Sequence, residues 1–192
     1  MKKLFALLLT LCLALAAPAC AETAAPAQPE ADEAHSDTLV AYFSATSNTR
    51  GVAERLAALT GADLYEIVPV DPYTEDDLDY GNSESRTSLE MDDPDARPEI
   101  AGEPLYLTGY TTLYLGYPIW HGEAPRILAT FVESHDLSGL TIRPFCTSGS
   151  SGIGRSAESL EALTDGGTWL EGRRFPSDVR DEELQAWIDE AA

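Results

Sequence analysis

With 192 residues, the chain is long enough for one domain with a substantial apolar core and too short for two such domains. Its formal net charge of −21 argues against nucleic acid as a partner, because a phosphate backbone would be repelled. Loss of an N-terminal signal would remove both lysines and no acidic residue, so the processed chain would be still more negative.

The N-terminus has the pattern of a secretory signal peptide over residues 1–19. Two lysines precede an apolar run over residues 4–17, which is too short for a membrane span, and small residues follow. Cys20 then occupies the position of the lipid-modified cysteine in bacterial lipoproteins. We therefore predict lipidation at Cys20, with plain signal-peptidase cleavage after Ala19 or Ala21 as the alternative.

Residues 20–37 are almost wholly Ala, Pro, Glu, Asp, Gln, Ser and Thr, which is typical of a flexible tether. A lipid anchor needs such a spacer to hold a domain away from the membrane. We expect residues 38–192 to form that domain, exported and anchored on the outer side of the membrane. A secreted soluble protein is the alternative.

The folded domain is predicted to begin with a strand, a polar turn and a helix. Residues 39–43 are apolar, and residues 49–59 carry apolar side chains at helical spacing. We call the turn, residues 44–49, the phosphate loop, because hydroxyl and amide groups before a helix N-terminus favour anions. Simple N-capping by Ser47 or Asn48 is the alternative. The polar side chains of this loop are Ser44, Thr46, Ser47, Asn48 and Thr49.

Further strands and helices are expected to alternate along the chain. We predict strands at residues 62–70, 111–117, 140–146 and 168–175, and helices at residues 83–91, 124–133, 156–163 and 181–191. Asn82 or Ser83 is the expected cap of the first of these helices. The alternation indicates an α/β fold with a doubly wound sheet of parallel strands. With strand order 2-1-3-4-5, the first and third strands are neighbours.

Residues 71–103, here called the acidic segment, are too long for a tight connection. We interpret them as a solvated surface excursion. A lid over the site, using Tyr73 or Tyr80, is the alternative.

Two more loops follow strand ends, where ligands bind in doubly wound sheets. Residues 118–125, the Trp loop, include Pro118, Ile119, Trp120 and His121, and we expect an exposed indole between the proline and Gly122. Residues 147–154, the Ser/Gly loop, include Thr147, Ser148, Gly149 and Gly152, whose glycines permit close backbone approach to a ligand.

Cys146, the one cysteine within residues 38–192, is expected to be a buried apolar side chain, and Trp187 a core residue. No metal site is predicted. No residue qualifies as a general acid or base from the sequence, although His121 and Tyr80 are candidates.

The phosphate loop pattern Ser-x-Thr-x-Asn-Thr and the Trp loop pattern Gly-Tyr-Pro-Ile-Trp resemble the flavodoxin family. There Gly often precedes the Asn, a place that Ser47 takes here. The resemblance implies a three-layer α/β fold with a doubly wound, five-stranded parallel sheet in the order 2-1-3-4-5. It also implies a noncovalently bound FMN. Its phosphate would lie on the phosphate loop, and its ring between the Trp loop and the Ser/Gly loop, with Trp120 packed on the ring. The implied partner is a redox protein or a small-molecule electron acceptor.

Three functions are compatible with these patterns. The first is electron transfer between proteins. The second is an FMN-dependent reductase of quinones or other small acceptors, because the Ser/Gly loop has no aromatic residue to cover one ring face. The third is a binding lipoprotein for another phosphorylated ligand. For bound FMN, the acidic charge is expected to lower the reduction potential by disfavouring added negative charge.

Overall fold

The computed structural model describes residues 36–190. The predicted signal peptide and Cys20 lie outside the described residues, as does almost all of the tether. Within residues 36–190 no helix combines the length and apolar composition that crossing a membrane requires.

A parallel sheet forms the centre of the fold, in the predicted order. The strands are β1 (Thr38–Tyr42), β2 (Asp63–Glu66), β3 (Thr112–Pro118), β4 (Thr141–Thr147), β5 (Thr168–Trp169) and β6 (Arg173–Phe175). They run in the order β2-β1-β3-β4-β5, and β6 also pairs with β4. The carboxyl ends of β1, β3 and β4 therefore lie side by side.

Helices cover both faces of this sheet. They are α1 (Asn48–Thr60), α2 (Arg86–Asp92), α3 (Arg126–Glu133), α4 (Ser156–Glu161) and α5 (Asp181–Asp189). Alternate side chains of β1 face opposite layers: Leu39 and Ala41 pack in a cluster with α3 and α4, whereas Val40 and Tyr42 pack with α1 and α5. The predicted three-layer architecture is confirmed.

The predicted fifth strand is divided into β5 and β6, so six short strands replace the five expected. β5 pairs with Thr141 and Ile142, and β6 pairs with residues 145–147. Pro144, which has no backbone N–H to donate, lies in the part of β4 opposite the interruption. The second strand is also shorter than predicted and ends at Glu66.

Helix ends differ modestly from the prediction. Ser85, and neither Asn82 nor Ser83, is the N-cap of α2, and its hydroxyl accepts a hydrogen bond from the Ser88 N–H. α1 ends at Thr60, and Gly61 is its C-cap in the left-handed conformation with φ 68°. Trp187 is 2% exposed, which confirms its prediction as a core residue.

Candidate functional site

The loops after β1, β3 and β4 meet at one edge of the sheet and enclose a cleft of about 580 Å³. The acidic segment and the chain after β6 complete its walls. The lining residues are Ala45, Thr46, Asn48, Tyr80, Pro118, Ile119, Trp120, Thr147, Ser148, Gly149, Ser150, Ser151, Arg174, Pro176, Ser177 and Asp178. All three predicted loops thus contribute to one cleft. Of the predicted site residues, Ser44, Ser47, Thr49, His121 and Gly152 do not line it.

Ser47 gives the phosphate loop its shape through its backbone. It lies immediately before α1 with φ 63° and ψ 0°, a left-handed conformation, and its side chain makes no capping hydrogen bond. Glycine adopts this conformation without steric cost, whereas serine must accommodate its Cβ. The turn geometry expected of a glycine is therefore present with serine in its place. Capping by the Ser47 hydroxyl, the alternative considered above, is not observed.

Two hydroxyl groups of the phosphate loop differ in their availability to a ligand. The Ser44 Oγ is buried and has no hydrogen-bond partner in the protein, which is costly for a hydroxyl group. The Thr49 hydroxyl is instead 2.8 Å from the Thr147 Oγ1, and both residues are buried. The Ser44 hydroxyl therefore keeps its hydrogen-bonding capacity, and the Thr49 hydroxyl joins the phosphate loop to the Ser/Gly loop.

Thr46 and Asn48 stand on the cleft wall, where the Asn48 amide donates to the Thr46 hydroxyl over 3.1 Å. The first backbone N–H groups of a helix have no partner within it, so the start of α1 adds donors and a positive dipole end. Together with the unpaired Ser44 hydroxyl, this donor set fits the phosphate of a nucleotide-like cofactor.

The Trp loop is a tight hairpin. Trp120 and Glu123 exchange two backbone hydrogen bonds of 2.9 Å each, and His121 and Gly122 between them have φ values of 48° and 88°. Positive φ at both central residues defines a type I′ turn. The backbone N–H of Ile119 donates to the Thr147 carbonyl over 3.2 Å, which ties the Trp loop to the Ser/Gly loop.

The prediction of an exposed indole at Trp120 is wrong. Trp120 is only 2% exposed, because its ring packs edge-on against Phe43 and Tyr73 at centroid distances of 5.4 and 5.0 Å. The little surface left to Trp120 does lie on the cleft, but a ring could not stack on the indole face in this conformation. Contact between Trp120 and a cofactor stays a prediction.

The acidic segment takes part in the site, contrary to the prediction of a surface excursion. Tyr73 packs on Trp120, its hydroxyl donates to the Glu90 carboxylate over 2.6 Å, and Arg86 lies 4.0 Å from its ring centroid. Burial and Glu90 raise the pKa of Tyr73. Tyr80 lines the cleft itself, with its ring 5.5 Å from that of His121. Partial burial raises the pKa of Tyr80, so its hydroxyl is neutral at pH 7.

Sequence reasoning missed Arg174. Its Nη2 donates to the carbonyls of Ser148 and Gly149 over 2.6 and 2.8 Å, and its Nε donates to the Ser148 hydroxyl over 3.3 Å. That hydroxyl in turn donates to the Ser151 carbonyl. Arg174 reaches the Ser/Gly loop because β6 pairs with β4 in the register Cys146 to Arg174, a contact that no local sequence signal indicates.

Two further titratable groups near the cleft, Cys146 and Tyr117, are structural. Cys146 is fully buried, and burial raises the pKa of its thiol to about 12, which confirms its prediction as an apolar core residue. The Tyr117 hydroxyl lies 3.1 Å from the Ser156 hydroxyl, and burial raises the pKa of Tyr117. Across the described part of the chain, no group of three or more His, Cys, Asp or Glu residues is arranged to hold a metal ion.

The fold and the cleft define a doubly wound α/β protein that presents an anion-binding helix start and a slot beside it at the carboxyl edge of its sheet. The sequence model of the flavodoxin family matches residues 37–191. The chain therefore belongs to the flavodoxin family.

Solved structures of similar proteins agree with this assignment. A protein from Bacteroides eggerthii, classed as a flavoprotein, is 46% identical, with a TM-score of 0.75; the match covers 80% of this chain and 96% of that one. One from Bacteroides uniformis, classed likewise, is 41% identical, with a TM-score of 0.77 and coverage of 81% and 99%.

A more distant structure shares the fold alone. It is a flavoprotein from Lactobacillus acidophilus in complex with FMN, 19% identical, with a TM-score of 0.60 and coverage of 79% of this chain and 97% of that one. A search of curated protein sequences found no match.

Proposed function

We propose that this flavodoxin is an exported electron carrier that binds FMN noncovalently and exchanges electrons with a redox partner protein. FMN is the cofactor that family membership supports. When bound, FMN supplies the redox chemistry, and the protein supplies binding and electrostatics. Residues 1–19 and Cys20 motivate the proposed export and lipid anchoring on the outer side of the membrane; a secreted soluble form is the alternative.

One observation carries the proposal: the phosphate loop and the Ser/Gly loop open onto the same cleft, and a buried Ser44 hydroxyl beside it lacks a partner. Ser44, Thr46 and Asn48 would hold the phosphate together with the first N–H groups of α1. Pro118 and Ile119, opposite residues 147–151, would flank the ring. The Thr49–Thr147 and Ile119–Thr147 hydrogen bonds fix these loops relative to one another before any ligand binds.

FMN titration tests the proposal directly. Purified protein should quench the fluorescence of added FMN and turn yellow. Ser44→Ala removes a hydrogen bond to a charged group, worth about 1.5–3 kcal/mol, so FMN should bind roughly ten-fold or more weakly. Riboflavin has no phosphate, so the same variant should leave its affinity unchanged.

Thr60→Ala is the matched control, because the Thr60 hydroxyl donates to the Leu56 carbonyl at the far end of α1. Colourless wild-type protein that does not quench FMN would reject the proposal. That result would favour the binding lipoprotein for another phosphorylated ligand.

A reductase of quinones or other small acceptors is the second candidate. Residues 147–151 bring no aromatic side chain to the cleft, which leaves that wall able to admit a small molecule beside a ring. Turnover of NAD(P)H and a quinone with ping-pong kinetics would favour this function. Two resolved one-electron steps in a redox titration, without such turnover, would favour the carrier.

A further inference from the structure

Arg174, like Arg126 and Arg143, is an arginine without an ion-pair partner among the described residues of this acidic protein. Several arginines among the described residues pair with a carboxylate within 4 Å, for example Arg50 with Glu66 and Arg97 with Glu133. Arg174 has no such pair in residues 36–190, and its hydrogen bonds go to uncharged groups of the Ser/Gly loop. Its positive charge is therefore not neutralised by a neighbouring carboxylate.

The guanidinium braces the loop and faces the cleft. Its Nη2 holds the carbonyls of Ser148 and Gly149, and its Nε contacts the Ser148 hydroxyl. Nη1 of Arg174 donates no hydrogen bond to any residue of 36–190, so this nitrogen keeps its donor capacity. Among the described residues that line the cleft, Arg174 is the one cation, and Asp178 is the one carboxylate.

We propose that Arg174 is a positioning residue of the FMN site that also places a positive charge beside the ring. This inference rests on the proposed FMN function. Ser148 and Gly149, which Arg174 contacts, belong to the loop expected at the ring, whereas Thr46 and Asn48 form the expected phosphate end. A positive charge at the ring end opposes the acidic field of the chain and stabilises the negative charge that FMN gains on reduction.

The charge and the brace have separable consequences. Arg174→Gln removes both the charge and the guanidinium fork. Arg174→Lys keeps the charge but cannot reproduce two carbonyl contacts and an Nε contact in the same plane. Arg173→Gln is the matched control: it makes the same charge change at the neighbouring position of β6, where the side chain pairs with Glu190, the C-cap of α5, over 2.9 Å. Successive strand residues point to opposite faces, so Arg173 lies away from the cleft.

The first measurement is a redox titration of each variant at saturating FMN, with dithionite as the electron donor. In Arg174→Gln, reduced FMN should bind at least ten-fold more weakly relative to oxidised FMN, which lowers the two-electron midpoint potential by at least about 30 mV. Arg174→Lys and Arg173→Gln should stay near the wild-type potential. An unchanged potential in Arg174→Gln, or an equal drop in Arg174→Lys, would overturn the role of the charge.

The second measurement is the NMR order parameter of the backbone N–H groups of residues 148–151 in the FMN-free protein. Both Arg174 variants should have lower order parameters there than the wild type, because the carbonyl contacts of the brace are lost or weakened, and Arg173→Gln should not. Equal order parameters in all four proteins would overturn the bracing role. This measurement uses no cofactor, so it tests the brace independently of FMN binding. A wild-type protein that failed to bind FMN would reject the proposed function and would leave this test of the brace unaffected.

Riboflavin binding locates the charge along the cofactor. A charge at the ring end predicts that Arg174→Gln weakens FMN and riboflavin by the same factor. Weaker binding of FMN alone would place Arg174 at the phosphate and overturn its assignment to the ring.

Discussion

Gly116 in β3 should not tolerate even a methyl group. A Cβ at this position would lie 2.2 Å from the Cζ of Phe145 and 2.7 Å from each Cε of that ring. Gly116 and Phe145 are partners in the β3–β4 ladder, so neither backbone can move without disturbing the sheet. The Phe145 ring is fully buried and packs edge-on against Trp187, at a centroid distance of 6.3 Å.

The expected cost of Gly116→Ala follows from this packing. Ordinary carbon contact would require the Phe145 ring to move by more than about 1 Å within a close-packed core. Overpacking of this kind costs about 1–3 kcal/mol, and the 2.2 Å approach places Gly116→Ala near the upper end. For a domain of this size, a loss of about 3 kcal/mol corresponds to a fall in Tm of roughly 6–12 °C.

Thermal and urea unfolding, followed by circular dichroism, measure this effect. Gly51→Ala is the control: the same change within α1 places a Cβ where no heavy atom lies within 4 Å, so it should raise stability by about 0.5–1 kcal/mol. Adding Phe145→Leu to Gly116→Ala should restore part of the loss by making room for the methyl group. A Tm for Gly116→Ala equal to that of the wild type would refute the packing argument.

Three further predictions concern the site. Thr49→Val should cost about 1–3 kcal/mol in urea unfolding, because it leaves the buried Thr147 hydroxyl unpaired; the double replacement of Thr49 and Thr147 by Val should recover much of that loss. Burial raises the pKa of Cys146 from 9.0 to about 12, so the unfolded thiol ionises first. Stability should therefore fall as pH rises between about 9 and about 12, and Cys146→Ala should remove that component of the fall. Bound FMN should have a lower reduction potential than free FMN, as the acidic charge requires; a redox titration giving a higher value would contradict this.

The site residues that sequence reasoning identified share a local signal. Thr46 follows the apolar strand β1, and Asn48 begins the amphipathic helix α1. Ser148 and Gly149 directly follow the buried strand β4. Strand ends can be read from hydrophobic patterns, and parallel strands place their carboxyl ends at one edge. The cleft could therefore be located from the sequence, although its exact lining could not.

Trp120 shows where such local reasoning fails. The residues around Trp120 form a tight turn, which correctly suggests a rigid loop. Its exposure, however, depends on Phe43 and on Tyr73 of the acidic segment, whose path is not encoded in any regular repeat. Long irregular segments are placed by packing against the rest of the fold, so their contribution to a site emerges only in three dimensions.

The sequence by itself determined the α/β class, the strand order expected for the resembled family and the three loops that form the cleft. The class and the loops follow from periodicity and turn chemistry, which act over a few residues, whereas the strand order is what the family resemblance implies. The tertiary structure alone decided which hydroxyl groups form hydrogen bonds within the protein, that Trp120 is buried, and that Arg174 braces the Ser/Gly loop. Each of these depends on contacts between residues far apart in the chain, whose geometry only the packed sheet and its layers define.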